Sequence, residues 1–295
     1  VNPIRPAGVL GAALVASAAL GEDPGKAVLP QCRAELVAEA ASVRAGTETT
    51  LAVALKPEPG WHLYWKNPGE SGLAPAVEWT LPAGWTAGAL QWPVPHRVET
   101  DGIVAYAYEG ETLLLVTLKV PAGAKPGEAD IAARVTWLVC KDTCVPGEAR
   151  IATKLRVGDV TAADAAATPR LAAARERMPR PLPAGAATLA VAGDQVSLTV
   201  ADEALRRDDV KSVEFFPAEE LVLDASAPAS LGAAGTDRRE VSVRLKPAPR
   251  RKTAVVRLQG VLVVRTAART LAFDIDVRAA EGAKESGPAG ERGNR

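Results

Sequence analysis

Apolar and polar positions alternate along most of residues 33–157. In "TTLAVALKP" the alternation sets Leu51, Val53 and Leu55 on one face of an extended chain. "RAELVAEAASV", "WHLYW", "AVEWTL", "IVAYAYEG", "ETLLLVTLKVP", "ARVTWLVC" and "ARIATKLRV" are further short runs, rich in branched and aromatic residues. Gly/Pro clusters such as "PEPG", "LPAG" and "PAGAKPGE" separate them. Strand signals at about every 8–15 residues with turns between them predict an antiparallel sandwich. No run in this half fits the helical period.

The pattern changes at 161–182. "TAADAAATPRLAAARERMPR" is dominated by Ala, Arg and Glu, and predicts a short helical linker interrupted near Pro169 and closed by Pro179. Strand signals then resume in "ATLAVAG", "QVSLTV", "VKSVEFF", "REVSVRLKP", "TAVVRLQGVLVV" and "TLAFDIDVR". The expected fold is all-β: an immunoglobulin-like sandwich over 33–160, the linker, and a second β domain over 183–278. The polar, Gly-rich end, 279–295, is expected to be disordered.

The first 25 residues, "VNPIRPAGVLGAALVASAALGEDPG", hold Arg5 and then an unbroken small-apolar run from 7 to 20. A run of about 14 residues is shorter than the roughly 20 a membrane-spanning helix needs. It contains "ASA" at 16–18, which suits signal-peptidase cleavage. Residues 1–20 are therefore expected to be a signal peptide. The mature chain is expected in the periplasm, with no transmembrane segment of its own. Lysine plus arginine balance aspartate plus glutamate at 35 each, so no basic excess points to nucleic acid.

Export gives weight to the cysteines, because an oxidising compartment permits disulfides. There are three in 295 residues, and two of them, Cys140 and Cys144, stand in "VTWLVCKDTCVPGEA". A turn carrying "KDT" between paired strands would bring them within bridging distance, with Cα atoms roughly 4.4–6.8 Å apart. A staple stabilises most when it closes a long loop, and this loop is short. That favours a pair that opens and closes over a structural bridge. A metal site would need more soft or nitrogen ligands than His62, His96 and Met178 readily supply, although two thiolates suffice for Cu(I). Cys32, in "VLPQC", lacks the small residues that precede a lipidated cysteine and reads as an unpaired thiol.

All six tryptophans lie between 61 and 137, and the second domain has no Trp, Tyr, Cys or His. Function is therefore expected in the first domain. "GWHLYWKNPGESGLAP" places Trp61, His62, Tyr64 and Trp65 before a Gly/Pro loop. These aromatics pack a core or shield the thiol pair from unselective oxidants. Exposed, coplanar Trp61, Trp65 and Trp92 would instead mark a carbohydrate- or peptide-binding module.

Together, "GWHLYWKNPGESGLAP", "WPVPHRVETDGIVAYAYEGE" and "LVCKDTCVPGEA" resemble the N-terminal periplasmic region of DsbD/ScsB-type thiol:disulfide interchange proteins, often labelled disulfide-bond corrector domains. "VEFFPAEELVLDASAP" and "LQGVLVV" are similar to the β domain that follows in the ScsB-like branch. The resemblance implies an immunoglobulin-like domain that needs no cofactor. Its cysteines, here Cys140 and Cys144, relay electrons from a membrane-embedded donor to periplasmic thioredoxin-fold proteins. It also implies a cap or partner-binding segment, placed here around Tyr64 to Gly72 and carried by Tyr64, Trp65, Asn67, Pro68 and Gly69. The ScsB-like branch is associated with copper tolerance, which keeps Cu(I) handling as an alternative. The spacer between the cysteines is longer in the DsbD branch. The membrane-spanning and thioredoxin-like parts of full-length members are absent from these 295 residues, so either another gene product supplies the electrons or the domain has another use.

Overall fold

A computed structural model of the chain describes residues 26–29, 31–233, 237–251 and 253–279. The expected signal peptide and nearly all of the expected disordered end lie outside the described residues.

The first sandwich begins with β1 (Lys26–Leu29), β2 (Cys32–Ala38), β3 (Ala40–Arg44), β4 (Glu48–Pro57) and β5 (His62–Gly69). It continues through β6 (Ala76–Thr80), β7 (Thr86–Ala87), β8 (His96–Thr100), β9 (Ile103–Glu109) and β10 (Thr112–Lys119). The long hairpin β11 (Gly127–Cys140) and β12 (Cys144–Gly158) and the short β13 (Ala162–Ala163) complete it. One sheet runs β1-β2-β4-β10-β7; the other runs β13-β3-β12-β11-β5-β9-β8, with β6 also on β11. No helix occurs among the described residues of 45–157.

Leu51, Val53 and Leu55 of β4 face the core together with Leu114, Val116 and Leu118 of β10. Ala52, Ala54 and Leu115 between them are also buried, because helix α1 (Ala167–Glu176) covers the outer face of this sheet. Ala167, Leu171 and Ala174, spaced to share one helix face, pack on Val37, Ala52, Ala54, Leu113 and Leu115. Ion pairs of Arg170 with Glu35 and Glu111, and of Arg175 with Glu39, fasten the helix. The helix of the linker is thus docked on the first sandwich. Pro169 does not interrupt it: the residue sits in the first helical turn, where a missing N–H deprives no carbonyl. Asp164 caps that turn by accepting from the Ala166 and Ala167 amides.

The second sandwich comprises β14 (Arg180–Pro181), β15 (Ala187–Ala192), β16 (Gln195–Ala201) and β17 (Val210–Pro217). It adds β18 (Ser230–Leu231), β19 (Glu240–Leu245), β20 (Arg257–Thr266) and β21 (Thr270–Arg278). Its sheets run β14-β21-β20-β17 and β15-β16-β19-β18. Leu258, Leu262 and Val264 of β20 point into this sandwich's own core. Val261 and Val263 point the other way and join the core of the first sandwich with Phe216 of β17. An unbroken apolar run such as "GVLVV" is what a strand buried on both faces requires.

The candidate redox site

Cys140 ends β11 and Cys144 begins β12, so they form the last rung of the hairpin. Lys141, Asp142 and Thr143 make the turn, closed by the Lys141 amide donating to the Thr143 carbonyl at 3.2 Å. The two sulfurs are bonded, with Cα atoms 4.1 Å apart. That separation falls just below the expected window and is close to the spacing of directly opposed residues in an antiparallel pair. The two halves of the bridge differ in access. Cys140 is 3% exposed and packs against Tyr64 and Ala105, whereas Cys144 is open to solvent.

The neighbouring strands place a group of polar side chains on the sheet face that carries Cys140. Strand β5 pairs with β11 so that His62 lies opposite Cys140, and on its other side His62 lies opposite Glu109 of β9. One step along, Tyr64 is opposite Ala107, which is opposite His96 of β8. Directly opposed residues share a sheet face. Cys140, His62, Glu109, Tyr64 and His96 therefore belong to one surface. The rings of His62 and Tyr64 meet edge-to-face at 5.2 Å. The Tyr64 hydroxyl reaches Cys144 Sγ at 3.7 Å.

Burial sets the protonation of this group. It raises the Tyr64 phenol above its ordinary value, so the hydroxyl keeps its proton. Burial lowers the His62 imidazole; Glu109 opposes that shift and His96 adds to it. His96 is lowered by burial as well, again opposed by Glu109.

Of the segment expected to cap the pair, Tyr64 alone touches it. Period two along β5 turns Trp65 to the opposite face, where it is fully buried and meets Tyr106 and Phe216 edge-to-face at 6.4 and 6.3 Å. Asn67 is buried too, its amide donating to the Pro217 and Glu219 carbonyls of the second sandwich at 2.8 and 3.1 Å. Pro68 is buried beside it, and the Gly69 amide donates to Asn67 Oδ1 at 2.9 Å. Gly69, at φ +90, is hemmed in by the Val104 carbonyl. Trp65 and Asn67 therefore join the two sandwiches and do not cover the disulfide. Gly72, at φ +109, also packs on Tyr64: a Cβ there would come within 2.2 Å of the ring. Gly72 closes the stretch around Tyr64 to Gly72 in which the cap was expected; the strand alternation that separates Tyr64 from Trp65 was the available signal for which of these residues face the pair.

The tryptophans form no exposed platform. Trp65, Trp85 and Trp137 are buried, and Trp61, Trp79 and Trp92 are partly buried against the same core. Among the described residues no three His, Cys, Asp or Glu side chains gather as a metal-binding cluster. Cys32 is a free, buried thiol on the other sheet; its Sγ donates to the Arg33 carbonyl, and burial pushes its pKa up to about 12.

The family model for the N-terminal region of the thiol:disulfide interchange protein DsbD matches residues 33–156. The crystal structure of the N-terminal periplasmic domain of ScsB from Proteus mirabilis shares the fold, with a TM-score of 0.61 at 17% identity over 87% of this chain and 98% of that one. Weaker structural matches include the GAE domain of yeast GGA1 (TM-score 0.25, 11% identity, 43% of this chain and 94% of that one). A conserved domain protein from Bacillus anthracis matches at TM-score 0.27 and 9% identity, over 86% of this chain and 89% of that one. No curated protein matches the chain in sequence.

Proposed function

We propose, from the family match over residues 33–156, that this region is a DsbD/ScsB-type thiol-disulfide interchange domain that relays electrons through Cys140 and Cys144. In this reading the relay lies in the periplasm. It is recharged by a membrane-embedded donor and discharged to a thioredoxin-fold protein.

The observation that carries the proposal is the unequal access of the two sulfurs. In the reduced domain the exposed Cys144 thiolate attacks a partner disulfide, forming a mixed disulfide and releasing one partner thiolate. The buried Cys140 thiolate then attacks Cys144 Sγ. The Cys144–partner bond breaks, the second partner thiolate leaves, and the Cys140–Cys144 bond forms. Two electrons pass to the partner. Reduction by the donor runs the same steps backwards.

A purely structural role fits the geometry less well. The cysteines are four residues apart and already face each other in a hydrogen-bonded hairpin. In the chain-entropy account a loop of about five residues gains only about 2 kcal/mol, against about 3 for fifteen.

The test is trapping. Reduced Cys140→Ser protein mixed with oxidised thioredoxin should accumulate a mixed disulfide through Cys144. Cys144→Ser should accumulate none, and both should lose turnover. Electron transfer by the wild type with trapping through Cys140 instead would reverse the assigned roles. No transfer by reduced wild type, together with a large loss of stability on reduction, would make the bridge a staple.

A further inference from the structure

Resolution by Cys140 poses a proton problem. Its side chain is packed against Tyr64 and Ala105, with Leu138 alongside. A thiol in such surroundings holds its proton more tightly than an exposed one, yet only the thiolate can attack. Cys144, in the open, can lose its proton to water. Cys140 needs a neighbour.

We infer that His62 accepts the Cys140 proton as Cys140 closes the disulfide, and that Glu109 steadies the imidazolium formed. This rests on the relay reading above and adds to it a residue with a defined role. The register places thiol, imidazole and carboxylate in one row across three strands: Cys140 of β11, His62 of β5, Glu109 of β9. Opposed side chains in such rows have Cβ atoms about 4.5–5.5 Å apart. A base held between a nucleophile and an orienting acid is the general arrangement for activating a weak nucleophile.

The other groups around His62 are compatible with the role. Tyr64 meets it edge-on at 5.2 Å and stays protonated. His96, two strands away on the same face, disfavours a second positive charge. Lys141 lies along Gly60, two residues before His62. Burial, with His96 adding to it, keeps the imidazole neutral and able to accept at neutral pH. The step balances: the Cys140 proton moves to His62, the Cys140–Cys144 bond forms, and the Cys144–partner bond breaks. The departing thiolate takes a proton from the imidazolium or from water.

The two chemical steps separate in a stopped-flow reaction of the reduced protein with excess dithiobis(nitrobenzoate). Attack by Cys144 releases one thionitrobenzoate at a rate that scales with reagent. Closure by Cys140 releases a second at a rate independent of it. Cys32, buried and protonated, stays silent. His62→Gln should slow the second phase at least tenfold at pH 7 and leave the first within about twofold, a modest share of the effect general bases supply. The wild-type second phase should level off above the imidazole titration, whereas the variant's should keep rising with pH. His62→Tyr keeps a ring against Tyr64 and should match His62→Gln, which excludes lost packing as the cause. Glu109→Gln should move the wild-type midpoint to lower pH. Unchanged second-phase rates and pH profiles in both His62 variants would overturn the inference and leave the relay intact. A wild type that releases one equivalent and never re-forms its disulfide would overturn the relay, and this inference with it.

Discussion

The Tyr64 hydroxyl lies 3.7 Å from Cys144 Sγ, although 80 positions separate the two residues. The contact joins strand β5 to the exposed half of the disulfide. Burial holds the phenol protonated, so once the bridge is reduced Tyr64 can donate to the Cys144 thiolate. Hydrogen bonds to charged groups contribute about 1.5–3 kcal/mol, and one pKa unit is about 1.4. Tyr64→Phe should therefore make the Cys144 thiolate harder to form. Its alkylation by iodoacetamide near neutral pH should slow by up to about tenfold. An unchanged alkylation profile would show that the hydroxyl does not act on the thiolate.

Gly72 holds the Tyr64 ring in place. Its φ of +109 disfavours any L side chain, and a Cβ there would come within 2.2 Å of Tyr64 Cε1. Gly72→Ala must displace the ring or the loop. Thermal unfolding should show a loss of about 1–3 kcal/mol. Alkylation of Cys144 should shift in the same direction as in Tyr64→Phe. Combining Gly72→Ala with Tyr64→Phe should add little to that shift, since both remove one contact.

The strand content and the cysteine pairing were legible because each rests on local pattern. Alternation in "TTLAVALKP" and the three-residue spacer between Cys140 and Cys144 need no knowledge of distant parts. The cap assignment failed at Trp65 and Asn67 because their partners are Phe216, Pro217 and Glu219, about 150 residues away. The apolar run in β20 announced a second buried face without saying what covered it. The docking of α1 was hidden for a similar reason: alanines are good helix formers, and only the small residues Ala52 and Ala54 on β4 hint at a close neighbour.

The interface between the sandwiches should behave as a coupled unit. Asn67→Ala leaves the buried Pro217 carbonyl of the second sandwich without this donor, at a cost of about 1–3 kcal/mol. Trp65→Ala and Phe216→Ala should each destabilise by more, about 3–5 kcal/mol by the usual cost of deleting a buried ring. A double-mutant cycle between them should give a coupling above about 0.5 kcal/mol. The first phase of exchange should be unaffected in Asn67→Ala, because this side chain faces away from the disulfide. Slower exchange with a fully folded variant would restore Asn67 to the cap.

Cys32 provides a test by pH that is independent of the disulfide. Burial raises its thiol from 9.0 to about 12 in the folded chain. Between those values the folded state holds a proton that the unfolded state has released. Stability from this group is therefore complete below about pH 9 and is lost as pH rises towards 12. Lysines and tyrosines titrate in the same window, so the informative quantity is a difference. The stability of wild type minus that of Cys32→Ala, from urea unfolding under reducing conditions, should be flat up to about pH 8.5 and decline above it. A difference that stays constant to about pH 10.5 would mean that Cys32 is reached by water in the folded chain. Cys32 would then react with dithiobis(nitrobenzoate), and a third equivalent of thionitrobenzoate would appear in the exchange assay.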